Sequence, residues 1–334
     1  MRDVQGRRVS RGADEVLKLR NVRRPAPGWR PLRRASPFAL FNVQQRPSVK
    51  RILIGLFIAA NLIGASAHAQ TAPNTLAKIK AAKAINVAFA GDSLPFSWVG
   101  PNNQPAGYSI DLCNRVIAQI ARTIGQPDLR VNWMVGGAAD RVQMVASGKA
   151  DLECGNTTQT QTRLATVDFS NLIFVDGGGF LVKSDSPVNR IADMGGRKIA
   201  VLKGTSTEAR MKQQFAQRNI SATIVTVNEG PEGVALLESG GVDAFAGDKI
   251  KLVGLAAQGK DPTKLALLTE DLSFEPYAFA LPRNDSAFRL EVNKALTQVY
   301  LSGDIDTIFG QWLGKLGRPS GLLAAMYLLN ALPE

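Results

Sequence analysis

The chain has 334 residues, 45% hydrophobic and 20% charged, which is ordinary for a globular protein with room for two domains. Its formal charge of +12 is concentrated at one end: residues 1–51 hold 14 Lys/Arg against 3 Asp/Glu, and the remainder carries a net charge of only +1. The folded part therefore has no basic surplus to neutralise a phosphate backbone, and nucleic acid is excluded as a partner.

Lys50 and Arg51 precede an apolar run, 52–65, and the pattern Ala67-His68-Ala69 ahead of Gln70. A basic start, an apolar stretch too short to span a bilayer and an A-x-A site together predict a secretory signal peptide over 49–69, cleaved after Ala69. No cysteine follows the cleavage point, so the mature chain is expected to be exported and soluble, without a lipid anchor. Residues 1–48 are rich in Arg and Pro and lack apolar periodicity. They are expected to be a non-native or disordered extension, with Val49 standing at a misread start; a genuine basic extension is the alternative. His68, the single histidine, leaves with the signal, which removes a histidine base, a Ser-His triad or a His-ligated metal from consideration. Cys113 and Cys154 remain in an oxidising compartment, where a pair points to a disulfide; two buried free thiols are the alternative.

In chain order, Asn74-Thr75-Leu76 opens a short helix and 84–89 reads as a buried strand. The loop 91–98 carries Phe96 and Trp98, which either roof the core or wall a ligand. A helix follows, with Leu112, Val116, Ile117, Ile120 and Ile124 on one face and Gly125 at its end. A strand over 129–134, a helix over 140–147 and a strand entering 150–154 complete the alternation of a parallel α/β sheet, in which ligands bind off the carboxyl ends of strands. That last strand runs into Gly155-Asn156-Thr157-Thr158 and on to Arg163. Hydroxyl and amide groups beside a guanidinium suit a carboxylate, whereas a solvated surface turn would look the same in isolation.

The second half repeats the plan. The strand 198–202 breaks at Gly204, and Thr205-Ser206-Thr207-Glu208 is a capping box whose helix start can receive an anion. The segment 237–244 echoes 145–152, and its strand ends at Asp248, which faces Arg163 as an ammonium partner if the two halves meet at one cleft. Gly177-Gly178-Gly179 reads as a hinge or a passive linker, and the chain returns over 275–279. Helices are predicted over 286–302, 304–316 and 321–332, the last packing Leu322, Leu323, Met326, Leu329 and Leu332 on the first lobe.

Five ordered motifs, Gly107-Tyr108-Ser109-Ile110-Asp111-Leu112, Glu153-Cys154-Gly155-Asn156-Thr157-Thr158 with Arg163, Asp168-Phe169-Ser170, Gly204-Thr205-Ser206-Thr207-Glu208 and Leu237-Glu238-Ser239-Gly240 with Asp248, make residues 74–334 similar to the periplasmic amino-acid-binding proteins of ABC importers, in particular the glutamate/aspartate-like subgroup. The resemblance implies the type II periplasmic-binding-protein fold. In that fold each lobe is a mainly parallel sheet flanked by helices, with a cleft between the lobes. One lobe would be 70–176 and 279–334, the other 177–278. It further implies a monomeric periplasmic receptor, without cofactor or catalysis, that delivers an amino acid to a membrane permease. By resemblance Arg163, with Thr158 and Thr205, holds the ligand carboxylate, and Asp248, with Asn156 and Thr158, holds the ammonium. Phe96, Ser206 and Arg141 are further candidates at the cleft. The chain departs from acidic-ligand binders at Ala90, where they carry a basic residue, and in lacking a mature histidine; Lys203 or Arg141 would have to substitute. An enzyme on the same scaffold, resembling cyclohexadienyl dehydratases, is the alternative, with Glu153 and Lys203 as the evident proton-transfer groups.

Overall fold

A computed structural model describes residues 74–333. The segment expected to be a signal peptide and the extension expected before it lie outside the described residues. The first helix, α1 (Thr75–Ala82), is capped by the Asn74 side chain, which accepts from the Ala77 N–H. Strand β1 (Ala84–Phe89) leads into a small antiparallel sheet that the sequence did not suggest, made of β2 (Asp92–Ser93), β3 (Ser97–Val99) and β4 (Pro105–Ala106). Gly107 then turns the chain at φ 128°, which lets the Tyr108 and Ser109 N–H groups reach the carbonyls of Pro95 and Phe96 as α2 (Tyr108–Ile124) begins. The apolar face of α2 is buried as its periodicity requires, from Leu112 through Val116, Ile117, Ile120 and Ile124. After β5 (Arg130–Val135) and α3 (Ala138–Ala146) comes β6, which is only Leu152–Glu153. Parallel pairing in the order β5-β1-β6 forms the sheet of the first lobe.

The single turn α4 (Gln161–Leu164) delivers Arg163, and β7 (Asp168–Lys183) then runs through sixteen residues without a break. In the second lobe β8 (Lys198–Leu202), α5 (Ser206–Gln217), β9 (Thr223–Val227), α6 (Gly230–Ser239), β10 (Ala244–Asp248) and α7 (Lys249–Ala256) follow in turn. Strands β8, β9 and β10 are parallel, and β10 lies antiparallel to β7. Over 180–182 successive residues of β7 point to opposite sides and all three are buried, Phe180 and Val182 in one apolar cluster and Leu181 in another. A sheet covered by helices on both faces demands that pattern. Short β11 (Leu265–Leu267) pairs with β7, and β12 (Ser273–Leu281) returns the chain.

The two crossings are one antiparallel ladder, with Ser273 opposite Gly178 and Glu275 opposite Asp176. Gly177, Gly178 and Gly179 therefore sit in extended backbone. A Cβ at each would crowd Asp271, Ser273 Oγ and the Lys249 stem in turn, so glycine lets these side chains lie close against the strand, and no positive φ is involved. Helices α8 (Ser286–Ser302), α9 (Asp304–Leu313) and α10 (Gly321–Asn330) pack on the first lobe. The packing of α10 differs from the leucine pattern: Leu323 and Met326 are buried, but Leu322, Leu329 and Leu332 are exposed. Tyr327 takes their place, its hydroxyl 2.9 Å from that of Tyr108 and its ring stacked on Tyr300. Among the described residues no helix is long and apolar enough to cross a membrane.

Candidate functional site

The carboxyl ends of β6 and β10 and the start of α5 face one another around a cavity of about 70 Å³. Arg141, Asn156, Thr158 and Arg163 line it from the first lobe, and Thr205, Ser206 and Asp248 from the second. A wider groove of about 540 Å³ behind the crossing strands is lined largely by apolar groups such as Phe274, Phe309, Leu316 and Leu322, and offers no comparable set of converging polar side chains.

Arg163 is half-buried, and its Nη1 donates to the Thr158 carbonyl at 2.8 Å, which orients the guanidinium. Burial and the nearby Arg141 charge lower its pKa, yet it forms no ion pair among the described residues. Asp248 accepts hydrogen bonds from Thr207 Oγ1 at 2.7 Å and from the Tyr277 hydroxyl at 2.6 Å, which fix its carboxylate at the strand end. The Thr158 and Ser206 hydroxyls come from different lobes and both donate to Glu275 Oε2, at 2.6 and 2.7 Å. Glu275 also accepts from Ser273 Oγ. Burial, and then the charge of Asp248, raise the pKa of Glu275.

Thr205 lines the cavity, but its hydroxyl is occupied: it donates to the Leu202 carbonyl at 2.8 Å and accepts from Glu208 N at 3.1 Å. The reciprocal arm of the capping box lands one residue early, on Gly204 N, at 2.8 Å. What α5 offers a ligand at its start is backbone N–H, since the first N–H groups of a helix have no partner within it. Phe96 requires a correction. It is fully buried and packs edge-on against Tyr108, Phe174 and Tyr277, so it supports Tyr277 from the core and does not line the cavity.

Arg141 is not a free cation. Its Nε contacts Glu153 Oε1 at 2.8 Å in a fully buried pair, and its Nη1 donates to the Gly136 carbonyl at 2.9 Å. Gly155 makes that pair possible, because a Cβ there would strike Glu153 Oε1. Lys203 is exposed. The sequence reading missed a further cation, Lys251, one turn into the helix after Asp248. Its amine is buried and reaches across the cleft to Ser93 Oγ at 3.0 Å and Asp92 Oδ1 at 3.3 Å. Asp92 Oδ2 accepts from Gly230 N at 2.8 Å, a second tie between the lobes. The spacing of Lys251 from Asp248 was available in the sequence, but its partner lies 159 residues away and no local pattern marks it. Cys113 and Cys154 form a disulfide with Cα atoms 5.9 Å apart, fastening the second turn of α2 to the end of β6. The described residues contain no group of side chains suited to hold a metal ion.

Residues 85–315 match the bacterial extracellular solute-binding proteins, family 3. The chain is 32% identical over 271 residues to an L-glutamate/L-aspartate-binding protein of Pseudomonas aeruginosa, covering 81% of this chain and 90% of the relative. Among solved structures it is similar to a solute receptor for L-cysteine of Neisseria gonorrhoeae, with a TM-score of 0.65 and 25% identity over 74% of this chain and 98% of the other. An ancestral amino-acid-binding protein described as a precursor of cyclohexadienyl dehydratase is similar at a TM-score of 0.61 and 26% identity, over 72% and 99% of the two chains.

Proposed function

The chain belongs to the bacterial extracellular solute-binding proteins, family 3, and on that footing we propose that it captures an α-amino acid between its lobes and hands it to the membrane permease of an ABC importer. One observation carries the choice of ligand. Arg163 alone among the buried and half-buried cations of the cleft has no acidic partner among the described residues, while Asp248 stands across the cavity with no cationic one. A guanidinium fork suits a carboxylate and a fixed carboxylate suits an ammonium, so a zwitterion satisfies both at once. Asn156 adds hydrogen bonds, the Thr158 hydroxyl oxygen, whose proton goes to Glu275, can accept one from the ammonium, and the N–H groups at the start of α5 add a positive dipole end. The chain acts as a monomer in the periplasm after removal of residues 1–69. Its lobes divide at 176/177 and, on the return, at 278/279, both within the ladder formed by the two crossing strands. No chemical turnover is involved: Glu153 is committed to Arg141, and Lys203 is exposed.

A thermal-shift screen of the mature chain with each of the twenty amino acids tests the proposal. A ligand at one hundred times its Kd stabilises by about 2.7 kcal/mol, or roughly 5–10 °C for a domain pair of this size. One amino acid or a few should give such a shift. If none does, or if prephenate is converted to an aromatic product, the proposal fails.

A further inference from the structure

With Arg163 and Asp248 assigned to the main-chain groups of the ligand, the charged groups left in the cleft belong to whatever surrounds its side chain. Two buried cations are there, and each already has a carboxylate: Arg141 holds Glu153 at 2.8 Å, and Lys251 holds Asp92 at 3.3 Å. The two pairs are close enough to feel each other. Asp92 is held below the usual carboxylate range by Lys251, the Gly230 N–H and Arg141 together, against the effect of its own burial. Burial lowers the pKa of Lys251, and the Arg141 charge adds to that. Lys203, the remaining cation on the lining, is solvent-exposed and screened.

The side-chain end of the cleft is thus charge-balanced yet rich in hydrogen-bonding groups. Among the lining side chains that remain, a carboxylate placed there would find no buried unneutralised cation, and an ammonium no unneutralised acid; either would be buried as an excess charge. A hydrocarbon side chain would strip water from both pairs and return no hydrogen bond. We infer that this cleft selects amino acids whose side chain is uncharged and both donates and accepts hydrogen bonds, with the carboxamides glutamine and asparagine as the best fit. An amide oxygen can accept from the Lys251 amine or Arg141, and the amide NH₂ can donate to Asp92. The inference rests on the proposed amino-acid site and sharpens it, and it separates this chain from the glutamate/aspartate-binding relative.

Calorimetric titration of the mature chain with glutamine, asparagine, glutamate, aspartate, lysine and leucine at pH 7.5 tests it. A carboxamide should bind at least tenfold tighter than its isosteric acid. The ratio of the glutamate to the glutamine Kd should fall at least tenfold in Asp92→Asn, which frees Lys251 to receive a carboxylate. In Lys251→Gln, which strands Asp92, it should rise at least tenfold, so either variant suffices if the other does not fold. Glutamate, lysine or leucine binding as tightly as the carboxamides overturns the inference, as does a ratio that neither variant moves. Binding by none of the twenty amino acids overturns the underlying function instead, and the two failures are thereby distinguished.

Discussion

Tyr277 has one hydroxyl proton and two carboxylate neighbours, Asp248 at 2.6 Å and Asp176 at 3.2 Å. The shorter contact takes the proton, which leaves Asp176 facing an oxygen unless it carries a proton of its own. Burial and the charge of Asp248 push the pKa of Asp176 up to about 7, from an ordinary 3.8. The folded state therefore holds that proton more tightly than the unfolded chain does between about pH 4 and 7. By linkage, the stability it contributes is fully present below about pH 4 and is lost as the pH rises through 7, on the order of 2–3 kcal/mol after allowing for partial exposure. Asp176→Asn keeps the shape and removes the titration. Its urea midpoint should be flatter than that of the parent chain between pH 5 and 8; an equal slope would show that Asp176 is ionised throughout.

At the level of elements, β6 is two residues long and cannot by itself position Asn156 and Thr158. The disulfide that follows it immediately, Cys113 to Cys154, anchors that loop to α2 and closes about 40 residues, for which chain entropy gives roughly 4 kcal/mol. Reduction, or the paired change of both cysteines to alanine, should lower unfolding stability by about that amount and weaken ligand binding as well. An unchanged urea midpoint would contradict the structural role. The elements legible in the sequence are those with a long period: the buried face of α2, the span of α8 and the strand β1 all lie where apolar spacing put them. Tertiary contacts decided the others. The sheet β2–β4 has strands of two or three residues, too short to show alternation. Helix α10 is apolar all round, so spacing could not single out Tyr327 over Leu329. The site divides the same way. Asp248 ends a strand and Arg163 follows the loop that leaves another, so their placement on one cavity was legible, whereas Lys251–Asp92 and Glu275 with Thr158 and Ser206 are contacts between distant segments. Phe96 was ambiguous because an aromatic in a loop looks the same whether it faces a core or a ligand.

On the scale of the whole molecule, the two lobes are joined by the β7–β12 ladder and meet again through Asp92, Lys251 and the Gly230 N–H on the far side of the cleft. A ligand held by Arg163 of one lobe and Asp248 of the other would add a further tie, and would favour closure by its extra affinity for the closed arrangement. Removing Arg163 strands the ligand carboxylate in a poorly solvated site, at a cost on the order of 3–5 kcal/mol, or about 10²- to 10⁴-fold in Kd. Without ligand the same change removes only the hydrogen bond to the Thr158 carbonyl, about 1 kcal/mol. Calorimetric titration of the parent chain and Arg163→Ala with the tightest-binding amino acid is therefore the most direct test. The account predicts a loss of affinity of roughly a hundredfold or more in a variant that still folds; a loss below about tenfold would show that the carboxylate is held elsewhere.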